Sequence, residues 1–415
     1  MIEPRAYLGV FWNPNSNNDY KYVGVLNIAD NGVSELEIRE TIDNQSFTRD
    51  MEYEVLVGVI GDDYPVSLFN VQLRRSQGTS SLSFSIKLVL AGQHITSLDT
   101  PLYEKCIISF PYLKNWVCAS RTHLKFEDEN ESLVIDRTNL STPIVAADLE
   151  QGLQLKIQEG IQTRHSPPLF YWEIRQDAKC VFLSTQEKSV NHYRQLIQEF
   201  QQFLSVALYC QQFPVEVILF GGNNKRGELV FPKEESITPR QNQLIQFAEL
   251  QKKVPQMLIN WHNQFQQVAP ICRYLLQSLN DNSFDFPDFL IIAHALDGYH
   301  KRFVNKKDGK DIKKYKEQID ALLDRFKDID VLKSNKIDTE VLQQSRNKYS
   351  HLIPDDDEKI TKAVSGNELL DLTRKCKMLL TCCILDMLGL DADEINMCFN
   401  KSNMFPKTPS TFVNS

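Results

Sequence analysis

The stretch SRNKYSHLIP, residues 345–354, sets a permanent cation, Arg346, five positions ahead of an imidazole, His351, where a helical pattern gives out. The two side chains suit phosphoryl chemistry. Histidine takes or gives a proton near neutral pH, and arginine offers a forked, permanent charge to phosphoryl oxygens. RNA carries its own nucleophile, because a 2′-OH can attack the adjacent phosphorus once a base takes its proton and an acid protonates the leaving 5′-oxygen. One histidine fills one of these roles at a time. The chemistry therefore predicts a composite site, in which a two-fold dimer brings a second His351 to the same cleft.

An ordinary helix end with a C-terminal cation would use the same letters, so the elements around the pair matter. TEVLQQSRNKYSHL reads as a helix starting near Asp338 and stopped by Pro354, which disfavours helical geometry at Ile353. Residues five apart on an ideal helix are separated by about 140° around its axis. Unwinding near His351 would bring the two side chains closer, and a helix C-terminus favours an imidazolium, raising the histidine pKa toward its working range.

From about residue 240 onward the apolar period is helical. FPDFLIIAHALDGYHKRF puts Phe289, Ile292, Ala293, Leu296, Tyr299, His300 and Phe303 on one stripe, with Pro287 in the first turn. The stretch 240–280 reads as two or three helical pieces interrupted by Pro255 and Pro270. SGNE at 365–368 reads as a capping box, with Ser365 as N-cap and Glu368 three residues on, opening a last long helix that runs to Gly389. Up to about residue 185 the period is two. SLSFSIKLVL, with Leu82, Phe84, Ile86, Leu88 and Leu90 on one face, is the clearest strand. Segments at 7–12, 20–28, 52–60, 64–73, 105–110, 153–157 and 169–174 resemble it. A helix over 191–210 and the strand-like VEVILF follow. The expected architecture is an α+β multidomain chain: a β-rich N-terminal domain over 1–235, sandwich or barrel-like, an all-α bundle over 236–400, and a loose polar tail over 401–415.

Composition narrows the function classes. Of the 415 residues, 42% are hydrophobic and 24% charged, as in soluble globular chains. A net charge of −8 argues against non-specific coating of nucleic acid. The exception is local: HKRFVNKKDGKDIKKYKE, 300–317, carries eight Lys/Arg against three acids and reads first as a solvated loop and helix face. No apolar run reaches the ~18 residues of a membrane span, and no signal-peptide core follows Met1, so the expectation is a cytoplasmic protein without membrane contact. The nine cysteines, without CxxC or zinc spacing, read as reduced core residues, and the tryptophans at 12, 116, 172 and 261 as core. His262, His294 and His300 lack metal-like companions, and His300 reads as a satisfied core residue. Asp355, Asp356, Asp357 and Glu358 read as a solvated loop. The expectation is no metal and no cofactor.

With these motifs in place, the chain resembles the HEPN superfamily of helical-bundle nucleases, whose mark is Arg, a polar residue, then His after four to six intervening positions. RNKYSH fits that pattern with Arg346, Asn347 and His351. ALDGYHKRF at 295–303, the RNKYSH helix and LLTCCILDMLGL are similar to the HEPN domain of ApeA-type anti-phage proteins. YLGVFW, YVGVLNI and YLKNW are similar to the N-terminal region of the same proteins, and Asp297 stands where they usually carry Glu. The resemblance implies a metal-independent endoribonuclease, a homodimer or higher homo-oligomer formed through the HEPN domain, structured RNA such as tRNA as target, and a phage-derived trigger acting through the N-terminal domain. It implies His351 as general base or acid, Arg346 as phosphate clamp, and Asn347 as an orienting or RNA-contacting group. The second reading is a non-catalytic protein that binds RNA or a phage component.

Overall fold

A computed structural model describes residues 3–15, 21–41, 52–77, 81–117, 123–127, 132–136, 142–166, 171–222, 225–239, 243–280, 286–304, 306–307, 310–312 and 314–402. The chain folds into two compact units, Met1–Gln198 with Phe213–Ser236, and Glu199–Gln212 with Ile237–Ser415.

The first unit begins with a closed antiparallel barrel. Its strands are β1 (Ala6–Trp12), β2 (Lys21–Ile28), β3 (Ser34–Thr41), β4 (Glu52–Ile60), β5 (Tyr64–Gln77) and β6 (Ser81–Ala91), in the order β1-β2-β3-β6-β5-β4, and β4 closes onto β1. Period-two alternation drives it: Phe11, Leu26, Leu36, Ile38, Leu68, Val71 and Phe84 all point into one buried interior. Closure removes the open edges that a sandwich or open barrel would leave. Strand β3 was not among the expected strands because SELEIRET is half charged, yet Leu36 and Ile38 alternate inward and pair with Phe84 and Leu82 of β6. At the β1–β4 seam Phe11 lies opposite Gly58. A Cβ on that glycine would stand 2.4 Å from a Phe11 ring carbon and 2.8 Å from the Val10 carbonyl oxygen, so the missing side chain is what seats the ring.

The rest of this unit is an open antiparallel sheet continuous with the barrel. It comprises β7 (Tyr103–Ser109), helix α1 (Leu113–Val117), a separate hairpin of β8 (His123–Glu127) and β9 (Ser132–Asp136), then β10 (Val145–Glu150), β11 (Leu153–Ser166) and β12 (Tyr171–Lys188). Helix α2 (Val190–Leu208) follows, then β13 (Glu216–Phe220) and β14 (Arg226–Val230), which joins the sheet to the barrel through Leu229 opposite Leu90 on β6.

The second unit is helical. It takes the end of α2 from Glu199, then α3 (Phe247–Leu250), α4 (Val254–Asn280), α5 (Phe286–Tyr299), a π-helical turn over His300–Val304, a two-residue-per-strand hairpin of β15 (Lys306–Lys307) and β16 (Lys310–Asp311), α6 (Tyr315–Arg325), α7 (Asp330–Ser334), α8 (Thr339–His351), α9 (Gly366–Met387) and α10 (Ala392–Ser402). Helix α5 packs against α4, α6, α8 and α9. Its predicted stripe is buried from Phe289 to His300, with Phe303 half-buried. Each fully buried Phe, Ile or Leu of that stripe contributes about 1.5–3 kcal/mol. No helix of the described residues is long and apolar enough to cross a membrane.

One expected helix break is absent, and one expected cap forms without its side-chain bond. Helix α4 runs unbroken for 27 residues with Pro270 inside it. The ring points to solvent while Trp261, Phe265, Val268, Ile271, Cys272, Leu275 and Leu276 are buried, and burial on that scale outweighs the ~3 kcal/mol a mid-helix proline costs. The capping box does not form. Ser365 occupies the expected N-cap position of α9 but its side chain makes no capping hydrogen bond, and Gly366, the first residue of the helix, has a φ of 53°. Trp116 and Trp261 are core residues, Trp12 is half-buried, and the Trp172 side chain lies outside the described residues. Eight cysteines are free and buried, and burial pushes their thiols up, Cys210 to about 11; Cys118 lies outside the described residues. Most of the tail, 403–415, does too.

His300 is fully buried, as expected of a core residue, but neither ring nitrogen finds a partner among the described residues. Burial lowers its pKa from the ordinary value, opposed by Asp297 and reinforced by Lys301. The neutral ring is therefore the folded form. The unfolded chain gains the proton first, so stability is full above about pH 6.5 and falls as pH drops below it. Thermal melts between pH 5 and 7 should show a shallower acid-side loss for His300→Leu than for wild type. Separately, Gly58→Ala should lower the urea midpoint of the first unit by the equivalent of about 1–3 kcal/mol, the usual cost of overpacking.

Candidate functional site

Helix α8 starts on Asp338, whose side chain accepts from the backbone N–H of Glu340 (2.9 Å) and Val341 (3.2 Å). Its roll is set by Tyr349. That ring stacks on Phe286 at 5.5 Å, meets Phe289 edge-on at 6.2 Å, and donates its hydroxyl to the Val364 carbonyl at 3.1 Å. Leu342 and Ser345, two turns and one turn earlier on the same side, are buried. At 100° per residue, Asn347 and His351 then lie roughly opposite Tyr349, while Arg346 falls on a flank. Burial agrees: His351 is exposed, Asn347 and Arg346 are half-buried.

Arg346 is held by aromatic contact rather than by a carboxylate. Its guanidinium carbon stands 5.0 Å from the centre of the Tyr315 ring, at the start of α6, and its Nε is enclosed without a partner among the described residues. One turn on, the Ser350 hydroxyl is likewise enclosed, with no partner among the described residues. The Tyr315 hydroxyl donates to the Ala293 carbonyl at 3.2 Å, and burial pushes its pKa well above the ordinary value, so the phenol stays protonated. His294 of α5 shares this neighbourhood. Its pKa is lowered, first by burial and then by the Arg346 cation, against the pull of Asp297. Asp297 itself pairs with Lys301 at 2.8 Å.

The helix does not unwind before His351. The chain reverses one residue later, where Leu352 adopts a left-handed φ of 49°, and the N–H groups of Leu352 and Ile353 both donate to the Lys348 carbonyl. The anticipated unwinding at His351 is thus replaced by a cap beyond it. Arg346 and His351 remain about 140° apart and about 7.5 Å apart along the axis, so one copy of α8 presents them in different directions. Asn347 and His351, one turn apart, share a side.

Residues 353–364 return along α8. Lys362 N–H donates to Gln344 at 2.7 Å, Val364 N–H to the Ser345 hydroxyl at 3.0 Å, and Lys362 Nζ pairs with Glu340 at 3.0 Å. The acids after the motif have separate uses: Asp355 pairs with Lys348, and Asp357 caps the short turn Glu358–Ile360. Among the described residues no group of three or more His, Cys, Asp or Glu is placed to hold a metal. His262 hydrogen-bonds Glu199 at 2.7 Å.

Of the sequence-predicted residues, the structure brings Asn347 and His351 to one side of α8 and sets Arg346 against Tyr315. The sequence reading missed Tyr315, and it missed His294 as a neighbour of Arg346. A lone aromatic in the lysine-rich KKYKE was the available signal for the first; for the second there was none, since the contact joins α5 to α8. Leu352 is 79% exposed and holds a backbone region that costs a non-glycine residue about 1–2 kcal/mol. After the ~0.5–1 kcal/mol lost to glycine's freedom in the unfolded chain, Leu352→Gly should stabilise the helix end by about 0.5–1 kcal/mol, read as a raised thermal midpoint. A lowered midpoint would mean that Leu352 is covered in solution.

Comparison with known proteins adds two matches. The family model described as ApeA N-terminal domain 1 matches residues 6–261, and the one described as Apea-like HEPN matches residues 290–394, a span that holds α6, α8 and α9 together with most of α5. No curated protein and no solved structure matches the chain. The barrel-bearing β region followed by the helical unit with its RNKYSH helix therefore belongs to the ApeA family, an ApeA N-terminal domain joined to an ApeA-like HEPN domain.

Proposed function

We propose that this chain is an anti-phage effector whose HEPN domain cuts RNA without a metal, through 2′-OH attack at a site built from Arg346, Asn347 and His351. The observation that carries the reading is the disposition of α8: a guanidinium braced on Tyr315, and an exposed imidazole at the helix end with Asn347 one turn behind it. A braced guanidinium keeps its charge and loses little freedom when it meets a phosphoryl group. An exposed imidazole is free to exchange protons with an RNA strand.

The separation of Arg346 from His351 on one helix favours a two-fold assembly, in which the second copy of α8 supplies the histidine or arginine that the first directs elsewhere. General base and general acid are then the two copies of His351. In this reading the β-rich N-terminal region restrains the nuclease until a phage-derived signal arrives, because unrestrained cleavage would harm the host. Structured RNA such as tRNA is the proposed substrate, and the cytoplasm the proposed location.

The test incubates purified protein with total cellular RNA in EDTA, with and without phage-infected lysate, and maps the new ends. Wild type should leave 2′,3′-cyclic phosphates. His351→Ala should lower cleavage by about 10²–10⁴-fold, the usual contribution of a general acid or base, and Arg346→Ala by about 10²–10³-fold, with thermal midpoint and oligomeric state unchanged. Mixed dimers of the two variants should regain part of the activity. RNA retained but uncut under every condition would instead identify a binding protein.

A further inference from the structure

We propose that a cleft in the first unit binds a phosphate-bearing ligand of nucleotide size. It lies where the β4–β5 turn, the end of β6 and the start of β14 meet, with a volume of about 660 Å³. Its walls include Tyr64, Gly92, Gln93, His94, Lys225 and Arg226.

The cleft is built, not incidental. Gly92 has a φ of 98°, and a Cβ there would stand 2.6 Å from the Arg226 carbonyl oxygen, so only glycine lets the end of β6 come this close to β14. Its N–H donates to the Pro65 carbonyl at 2.8 Å. The His94 ring bonds the Gly58 carbonyl through Nε2 at 2.8 Å and rests edge-on against Trp12. Tyr103 donates its hydroxyl to Gln93 Oε1 at 3.1 Å, which fixes the amide and leaves Nε2 enclosed and without a partner among the described residues.

Charge sets the ligand class. No carboxylate is among the wall residues, and Lys225 and Arg226 are exposed and form no ion pair among the described residues, on a chain whose net charge is −8. Burial raises the pKa of the Tyr64 hydroxyl, Glu228 adds to the rise and Arg226 opposes it. Two cations on one lip suit a di- or monophosphate. The volume exceeds what a bare inorganic anion fills and sits within the range of small-molecule sites. Tyr64, 40% exposed, offers a planar face for a base.

The test titrates the full chain with ADP, GDP, CDP, UDP and inorganic pyrophosphate by calorimetry. At least one nucleotide should bind more tightly than pyrophosphate, and Lys225→Ala with Arg226→Ala should weaken it about tenfold or more at an unchanged thermal midpoint. Tyr64→Ala should weaken the nucleotide but not pyrophosphate. Absence of binding by all five probes, equal binding of pyrophosphate, or wild-type affinity in the double variant would overturn the proposal. Binding is read without reference to RNA cleavage, so failure here leaves the reading of α8 standing.

Discussion

Tyr349 governs the candidate site without belonging to it. A helix has one rotational degree of freedom about its axis, and a large ring wedged against Phe286 and Phe289, with its hydroxyl tied to Val364, removes it. Once that roll is set, the 100° step of the helix assigns every other side chain. His351 and Asn347 turn outward, and Arg346 turns toward Tyr315. The returning segment 353–364, pinned at Gln344 and Ser345, helps hold the same roll.

Several polar groups are enclosed without partners among the described residues, in both units, and some of them lie at the sites discussed above. His300 at the π-helical turn, and Arg346 and Ser350 on α8, lie in the helical unit; Gln93 lies at the cleft beside the barrel. Each such group costs folding free energy. The π-helical turn after α5 widens the helix at His300, a deviation that in other proteins marks functional sites more often than chance. In the first unit the corresponding economy is made with glycine: Gly58 clears space for Phe11, and Gly92 clears space for the β14 backbone.

Legibility in the sequence followed the strength of the local signal. The period-two segments became β1, β2, β4, β5 and β6, and the α5 stripe became the buried face of α5, because alternation and helical spacing record which side of an element meets the core. Strand β3 was missed where charge masked its two inward residues. Pro270 was misread as a break because a proline's cost is local while the burial that outweighs it is spread along α4. SGNE marked the N-cap position correctly, but the side-chain bond did not form, with Gly366 in a backbone angle that letters do not encode.

The sequence by itself determined the residue types and spacing of RNKYSH, the two periods of the chain and its division into a β-rich and a helical region, since each is written in neighbours along the chain. Only tertiary structure decided that the six strands close into a barrel, that Arg346 rests on Tyr315 beside His294, and that the helix carries His351 to its end before reversing at Leu352. Those outcomes depend on contacts between residues far apart in sequence, whose energies exceed the local preferences that spacing reveals.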